Sequence, residues 1–167
     1  MNFNLLLIRH AKSSWKDIKL ADFDRPLNKR GMHNVPIMAN RIRTYSLDLS
    51  LIISSPAKRA MNTTILISKE LQFSEESISY DSSLYHSSLE NFINILSIQS
   101  KRNIALVGHN PGIHEFSYWL CSEPKKNFPT CGVSFISFNF DSWSSISKGC
   151  GTIKSFEYPK MFYEADI

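Results

Sequence analysis

The sequence predicts an α/β fold, a three-layer α/β/α sandwich whose mainly parallel central sheet carries helices on both faces. Three observations predict it. Short apolar runs at 3–9, 49–53 and 103–108 read as fully buried strands, because each is brief and bounded by polar residues. Amphipathic helical patterns alternate with these runs, the βαβα order of a parallel sheet. No internal repeat and no Gly-, Ser- or Pro-rich linker divides the 167 residues, so 1–167 read as a single domain with a sizeable core.

The elements follow in order. The first strand, 3–9, ends in Arg9-His10-Ala11-Lys12-Ser13. A loop of mixed charge from Ser13 to Arg25 contains Trp15 and the turn-like Asp22-Phe23-Asp24-Arg25-Pro26. Residues 28–45 read as a helix with Asn28 at the N-cap and Met32, Val35, Met38, Ala39 and Ile42 on one face. Pro36 lies inside it and predicts a kink or break. A second strand, 49–53, runs into Ser54-Ser55-Pro56, where serine then proline predicts an N-cap and first turn for a helix to about Gln72. Ser77 to Tyr80 reads as a short strand and Leu89 to Ile98 as an amphipathic helix. The strand at 103–108 ends in His109-Asn110-Pro111-Gly112, with Asn110 as N-cap and Pro111 as first residue of a helix through Leu120. Cys131 to Phe140 and Gly151 to Phe156 read as a hairpin joined by the Ser-rich Asp141 to Gly149.

Composition narrows the function. A net charge of +4 and a pI near 9.0 suit an anionic substrate. The Lys and Arg are scattered rather than striped, so nucleic acid is not expected as a partner. No apolar stretch is long enough for a bilayer and no signal peptide is visible, so no membrane partner is expected. Three cysteines at irregular spacing, Cys121, Cys131 and Cys150, argue against a disulfide framework and a zinc site. They read as small apolar residues in a reducing, cytoplasmic setting. His33, His86 and His114 lack metal-ligand spacing and read as surface or satisfied residues, so no metal or cofactor is expected. Trp15, Trp119 and Trp143 read as packing groups, with Trp15 placed to shape the mouth of a site. Phe135, Ile136, Phe138 and Phe140 read as strand core.

Three strands end alike, in Arg9-His10, in Ser54-Ser55-Pro56-Ala57-Lys58-Arg59 and in Gly108-His109-Asn110-Pro111-Gly112. Adjacent parallel strands bring such tips to one crevice. Two arginines, two histidines and helix N-termini then converge, which suits a dianionic phosphoryl group. Arg9 and Arg59 would hold its equatorial oxygens and His109 would donate a hydrogen bond. A neutral ring nitrogen of His10 would attack phosphorus and form a phosphohistidine. A backbone carbonyl on the other ring nitrogen would fix the tautomer.

These motifs resemble those of the histidine phosphatase superfamily, the phosphoglycerate-mutase-like fold. Arg9-His10-Ala11-Lys12-Ser13 with Trp15, Asp24-Arg25-Pro26-Leu27 with Arg30-Gly31, the Gly-His-Asn-Pro-Gly segment, Pro129-Thr130 and the stretch from Phe156 to Pro159 are similar to the small SixA-type phosphohistidine phosphatases. The resemblance implies a metal-independent phosphatase with His10 as nucleophile and Arg9, Arg59 and His109 on the phosphoryl group. Arg25 matches a pocket-lining arginine of that branch, with a turn-stabilising role as the other reading, and Ser13 would add a hydroxyl contact.

One departure matters. Relatives that act on phosphate esters carry an acid that protonates the leaving alkoxide, and 80–86 offers only Asp81, which reads as a turn residue. A phosphoramidate nitrogen is protonated before its bond breaks, so a missing acid suits phosphohistidine. The substrate implied is a phosphorylated protein, a histidine phosphotransfer domain or a phosphotransferase carrier protein, met by a monomer. Alternatives are a phosphomonoesterase for a small metabolite ester and a phosphate- or phosphopeptide-binding module without turnover.

Overall fold

A computed structural model describes residues 2–123 and 127–163. Six strands form one sheet: β1 (Phe3–Arg9), β2 (Leu51–Ser54), β3 (Ile78–Tyr80), β4 (Asn103–Gly108), β5 (Val133–Phe138) and β6 (Gly151–Glu157). Four helices are described: α1 (Lys29–Thr44), α2 (Lys58–Leu71), α3 (Leu89–Ser97) and α4 (Gly112–Cys121). The strand order is β3-β2-β4-β1-β5-β6. The first four strands in that order are mutually parallel, and β5 and β6 add an antiparallel edge, the expected hairpin.

Strand alternation builds the three layers. Leu5, Leu7, Ile104 and Leu106 share a core with Phe92, Ile95, Ile113 and Phe116 of α3 and α4. Leu6, Ile8, Ala105 and Val107 share the other with Val35, Met38, Ala60 and Ile67 of α1 and α2. Strands apolar on both faces and helices apolar on one thus give the α/β/α sandwich. No helix of the described residues is long and apolar enough to cross a membrane.

Several local expectations hold. Asn28 caps α1 by accepting from the Gly31 N–H at 2.8 Å. Trp143 is fully buried and its indole N–H donates to the Lys101 carbonyl. The three cysteines are free, and burial pushes the Cys121 and Cys131 thiols up to about 12, so both are inert packing groups.

Others need correction. Pro36 does not break α1, which runs through it. Met32 lies off the buried face of α1 and is exposed. Neither predicted Ser-Pro nor Asn-Pro cap forms: α2 is preceded by Ala57 and α4 by Pro111, both without a side-chain cap. In each case the polar side chain is drawn into the site described next.

Candidate active site

The topology explains why the three motifs meet. β4 lies between β1 and β2, with Arg9 opposite Gly108 and Ser54 opposite Val107. Past the last ladder pairs, the His10 N–H donates to the Gly108 carbonyl and the Ser55 N–H to the Val107 carbonyl. His10, Ser55 and His109 therefore leave the sheet side by side at its carboxyl edge, where open α/β sheets bind ligands. From the other flank, the Cys131 N–H donates to the Arg9 and His10 carbonyls. Thr63 of α2 accepts from the Ala11 N–H at 2.9 Å. Gly31 packs against the Lys12 backbone so closely that any Cβ there would overlap the Lys12 carbonyl, so α1 buttresses the loop after His10.

His10 and His109 lie with ring centroids 5.0 Å apart, close enough to address one phosphoryl group. His10 is 7% exposed, and its Nδ1 meets the Ala11 carbonyl at 2.8 Å. A carbonyl only accepts, so Nδ1 carries the proton and Nε2 carries a lone pair. This is the tautomer-fixing carbonyl whose identity the sequence alone does not reveal. The Arg59 Nε–H points at that lone pair, 3.4 Å away. Burial, then Arg59, Arg9 and Arg25, lower the His10 pKa to about 3 against the Ala11 hydrogen bond, which raises it. His10 is thus a neutral, oriented base that can attack phosphorus.

His109 is set by Ser55. Its Nε2 lies 2.8 Å from the Ser55 Oγ, which already accepts from the Ala57 N–H at 3.2 Å. Among the described residues the buried Ser55 hydroxyl has no other acceptor, so its O–H donates to Nε2 and the proton of His109 sits on Nδ1. That Nδ1–H has no partner among the described residues and can serve as a donor to a ligand. Burial, then His10, Arg59 and His86, push the His109 pKa down to about 3 against Asp22, which raises it. Ser55→Ala is expected to lower kcat/KM by about tenfold or more while the chain folds normally. The loss should coincide with a changed ¹⁵N tautomer signature at His109, and an unchanged signature would show that Ser55 does not orient the ring.

The low pKa values have a second consequence. In the unfolded chain both imidazoles titrate near 6.5. Between about pH 3 and 6.5 the unfolded state binds protons that the folded state does not, so stability falls as pH falls through this window. Of the order of 1 kcal/mol or more per histidine is expected to be lost between pH 7 and 4.5, measured by denaturant unfolding. Imidazole NMR should show no titration of either ring between pH 5 and 8.

Arg9 donates through Nη1 to the Phe128 carbonyl at 2.9 Å, while its buried Nε has no partner among the described residues. Asn110 donates to the same carbonyl at 3.0 Å, so it braces the site instead of capping α4. Arg59 is buried, as expected for a residue of the first turn facing the crevice. Arg25 is buried as well. It acts electrostatically on His10, and it holds its loop through the Ser13 Oγ at 2.8 Å. Ser13 is therefore engaged by Arg25. Trp15 is 69% exposed and is not a core residue, because its ring packs under the Arg25 guanidinium at 3.6 Å.

The residue that sequence reasoning missed is Asp22. Its carboxylate accepts from Arg25 Nε and Nη2 at 3.2 and 3.0 Å, from Arg59 Nη2 at 3.0 Å and from the Tyr85 hydroxyl at 2.7 Å. Its own carbonyl accepts from Arg59 Nη1 at 2.6 Å. Burial opposes ionisation, but the bonds from Tyr85, Arg59 and Arg25 prevail and hold the carboxyl well below the usual range. Asp81 behaves as the turn residue expected, accepting from the Ser83 N–H and hydroxyl. Among the described residues no group of three or more His, Cys, Asp and Glu is arranged to hold a metal.

Comparison with known proteins agrees with this geometry. An uncharacterized chloroplastic protein of Arabidopsis thaliana is 31% identical over 149 residues, 83% of this chain and 68% of its own length. A structure from Agrobacterium tumefaciens described as phosphohistidine phosphatase SixA superposes with a TM-score of 0.81 at 25% identity, over 95% of this chain and 99% of that one. The protein histidine phosphatase SixA complexed with tungstate gives 0.82 at 19% identity, over 96% and 99%. A mycobacterial glucosyl-3-phosphoglycerate phosphatase shares the fold at 0.67 and 13% identity, over 92% and 98%. The family model for branch 1 of the histidine phosphatase superfamily matches residues 5–92, so the chain that carries this paired-histidine, multi-arginine crevice belongs to that superfamily.

Proposed function

We propose that the protein is a metal-independent phosphohistidine phosphatase that removes phosphate from a protein through a phosphohistidine intermediate on His10. The observation that carries the reading is the His10 ring, neutral, with Nδ1–H tied to the Ala11 carbonyl and the Nε2 lone pair facing Arg59. Nε2 attacks phosphorus in line, and the bond to the substrate nitrogen breaks. The electron pair leaves with an imidazole already protonated on its far nitrogen. Arg9, Arg59 and the His109 Nδ1–H hold the equatorial oxygens, where charge is spread in the transition state. Water then attacks the phosphohistidine, and the pair returns to Nε2.

A protein phosphohistidine is favoured over a phosphate ester by the state of the nearby acids. An alkoxide leaving group needs a protonated acid, with a pKa raised toward neutrality. Asp22 is held ionised by two guanidiniums, and Asp81 is occupied within its own turn. Neither supplies that proton. The SixA structures, described as phosphohistidine or protein histidine phosphatases, support the same substrate class, and the phosphorylated partner proposed here is a histidine phosphotransfer domain or a phosphotransferase carrier protein.

The test is release of phosphate from a phosphohistidine-bearing carrier protein beside p-nitrophenyl phosphate, both with a chelator present. Fast release from the carrier, with an acid-labile, base-stable phosphoenzyme trapped on His10, is the expected result. Turnover of the ester alone would replace this reading with a metabolite phosphatase. Binding of phosphate without turnover of either would replace it with a binding module.

A further inference from the structure

We propose that Asp22 determines specificity: its carboxylate fills the place where a second anionic group of a substrate would bind, so the site selects a phosphoryl group whose carrier bears no further negative charge. The proposal rests on the reading that this crevice binds phosphoryl groups, and it names a residue that selects among them.

Arg59 spends Nη1 on the Asp22 carbonyl, Nη2 on the Asp22 carboxylate and Nε on His10. Arg25 spends Nε and Nη2 on the Asp22 carboxylate and Nη1 on Ser13 and the Ser14 carbonyl. Both terminal nitrogens of Arg59 and two nitrogens of Arg25 thus already face Asp22, so a carboxylate or second phosphate of a small metabolite would have to displace its carboxylate. Arg9 Nε and His109 Nδ1 are without a partner among the described residues, and the terminal nitrogens of Arg59 each keep a second N–H for a phosphoryl oxygen.

Charge points the same way. The cations acting on His10 are Arg59, Arg9 and Arg25. With both histidines neutral, the three guanidiniums and the Asp22 carboxylate together carry +2, the charge that one phosphoryl dianion neutralises. A substrate with a further negative charge would be unbalanced by that charge in a crevice where solvent screens poorly.

Placement completes it. The side chains of Arg25 and Arg59 are 8% and 6% exposed, whereas that of Asp22 is 42% exposed. The carboxylate is thus the solvent-facing member of this cluster, open to contact with a carrier. There it repels an anionic carrier and accepts a hydrogen bond from a cationic one such as a phosphorylated imidazolium. Tyr85 fixes it from the opposite wall by its hydroxyl, and the Tyr85 ring is in turn braced by Phe23 at 5.1 Å.

The experiment measures, by titration calorimetry at constant ionic strength, the affinities of inorganic phosphate and phosphoglycolate for the native chain, Asp22→Asn, Asp22→Ala and Asp24→Asn. Asp24 is exposed on the same turn and controls for a general change of charge. Both Asp22 variants are expected to shift the ratio of the two affinities toward phosphoglycolate by about tenfold or more, and Asp24→Asn to leave it unchanged. An unchanged ratio in the Asp22 variants overturns the proposal. So does an equal gain for both ligands, which would mark Asp22 as a simple competitor, or an equal loss, which would mark it as a support for Arg59. Because binding is measured, the outcome does not depend on phosphohistidine turnover. A chain that fails on phosphohistidine yet shows the shift would refute the proposed substrate and keep the role of Asp22.

Discussion

Replacing His10 with alanine is expected to reduce turnover by about 10⁴-fold or more while inorganic phosphate still binds within about tenfold of the native affinity. The two halves of this expectation have separate causes. Nε2 of His10 is the atom with a directed lone pair, and no neighbour replaces it: His109 accepts from Ser55 through Nε2 and presents a protonated Nδ1. The oxygens of phosphate are held by Arg9, Arg59 and His109, all of which remain in the variant. Single-turnover kinetics and phosphate titration on the same protein separate the two. A variant that keeps more than about one per cent of native turnover would mean that another group attacks phosphorus.

Arg59→Lys is expected to lower kcat/KM by about 10²–10³-fold although the charge is kept. The native guanidinium faces two ways at once, with its two terminal nitrogens on Asp22 and Nε toward His10 Nε2. A lysine ammonium is a point charge on a flexible stem and cannot span both. Arg59→Ala should fall further and should raise the His10 pKa only in part, because burial outranks Arg59 among its causes. Full restoration by lysine would show that charge alone matters and would remove the fork from the mechanism. The readout that separates a positioning effect from misfolding is the His10 imidazole shift, which should remain that of the Nδ1–H tautomer in both variants.

Much of this site was legible before any coordinates, for a physical reason. Strands buried on both faces are short apolar runs, so their polar ends stand out, and parallel packing sends those ends to one edge. Arg9, His10, Arg59 and His109 all lie in or just after such ends. Asp22 was hidden because, besides nearby Arg25, its partners are side chains 37 and 63 residues away, and the polar loop that holds it has no periodicity to signal them. Ser55 and Asn110 misled for a related reason. Each is a good N-cap by type, and each has a stronger tertiary use, on the His109 ring and on the Phe128 carbonyl. Met32 followed the helical period yet lies where no neighbouring element covers it. Local preference was overruled wherever a buried partner was on offer.

The side-by-side pairing of β1 and β4 also sets when in the life of the chain this crevice exists. Asn4 and Asn103 face each other across that ladder and are 99 residues apart. Closing so long a loop carries an entropic penalty, and folding dominated by such non-local pairings is slow. A chain still being synthesised therefore holds His10 for most of its translation with no His109 beside it and no Phe128 carbonyl on Arg9. On the function proposed above, phosphate binding would appear only after β4 and the segment before β5 have left the ribosome.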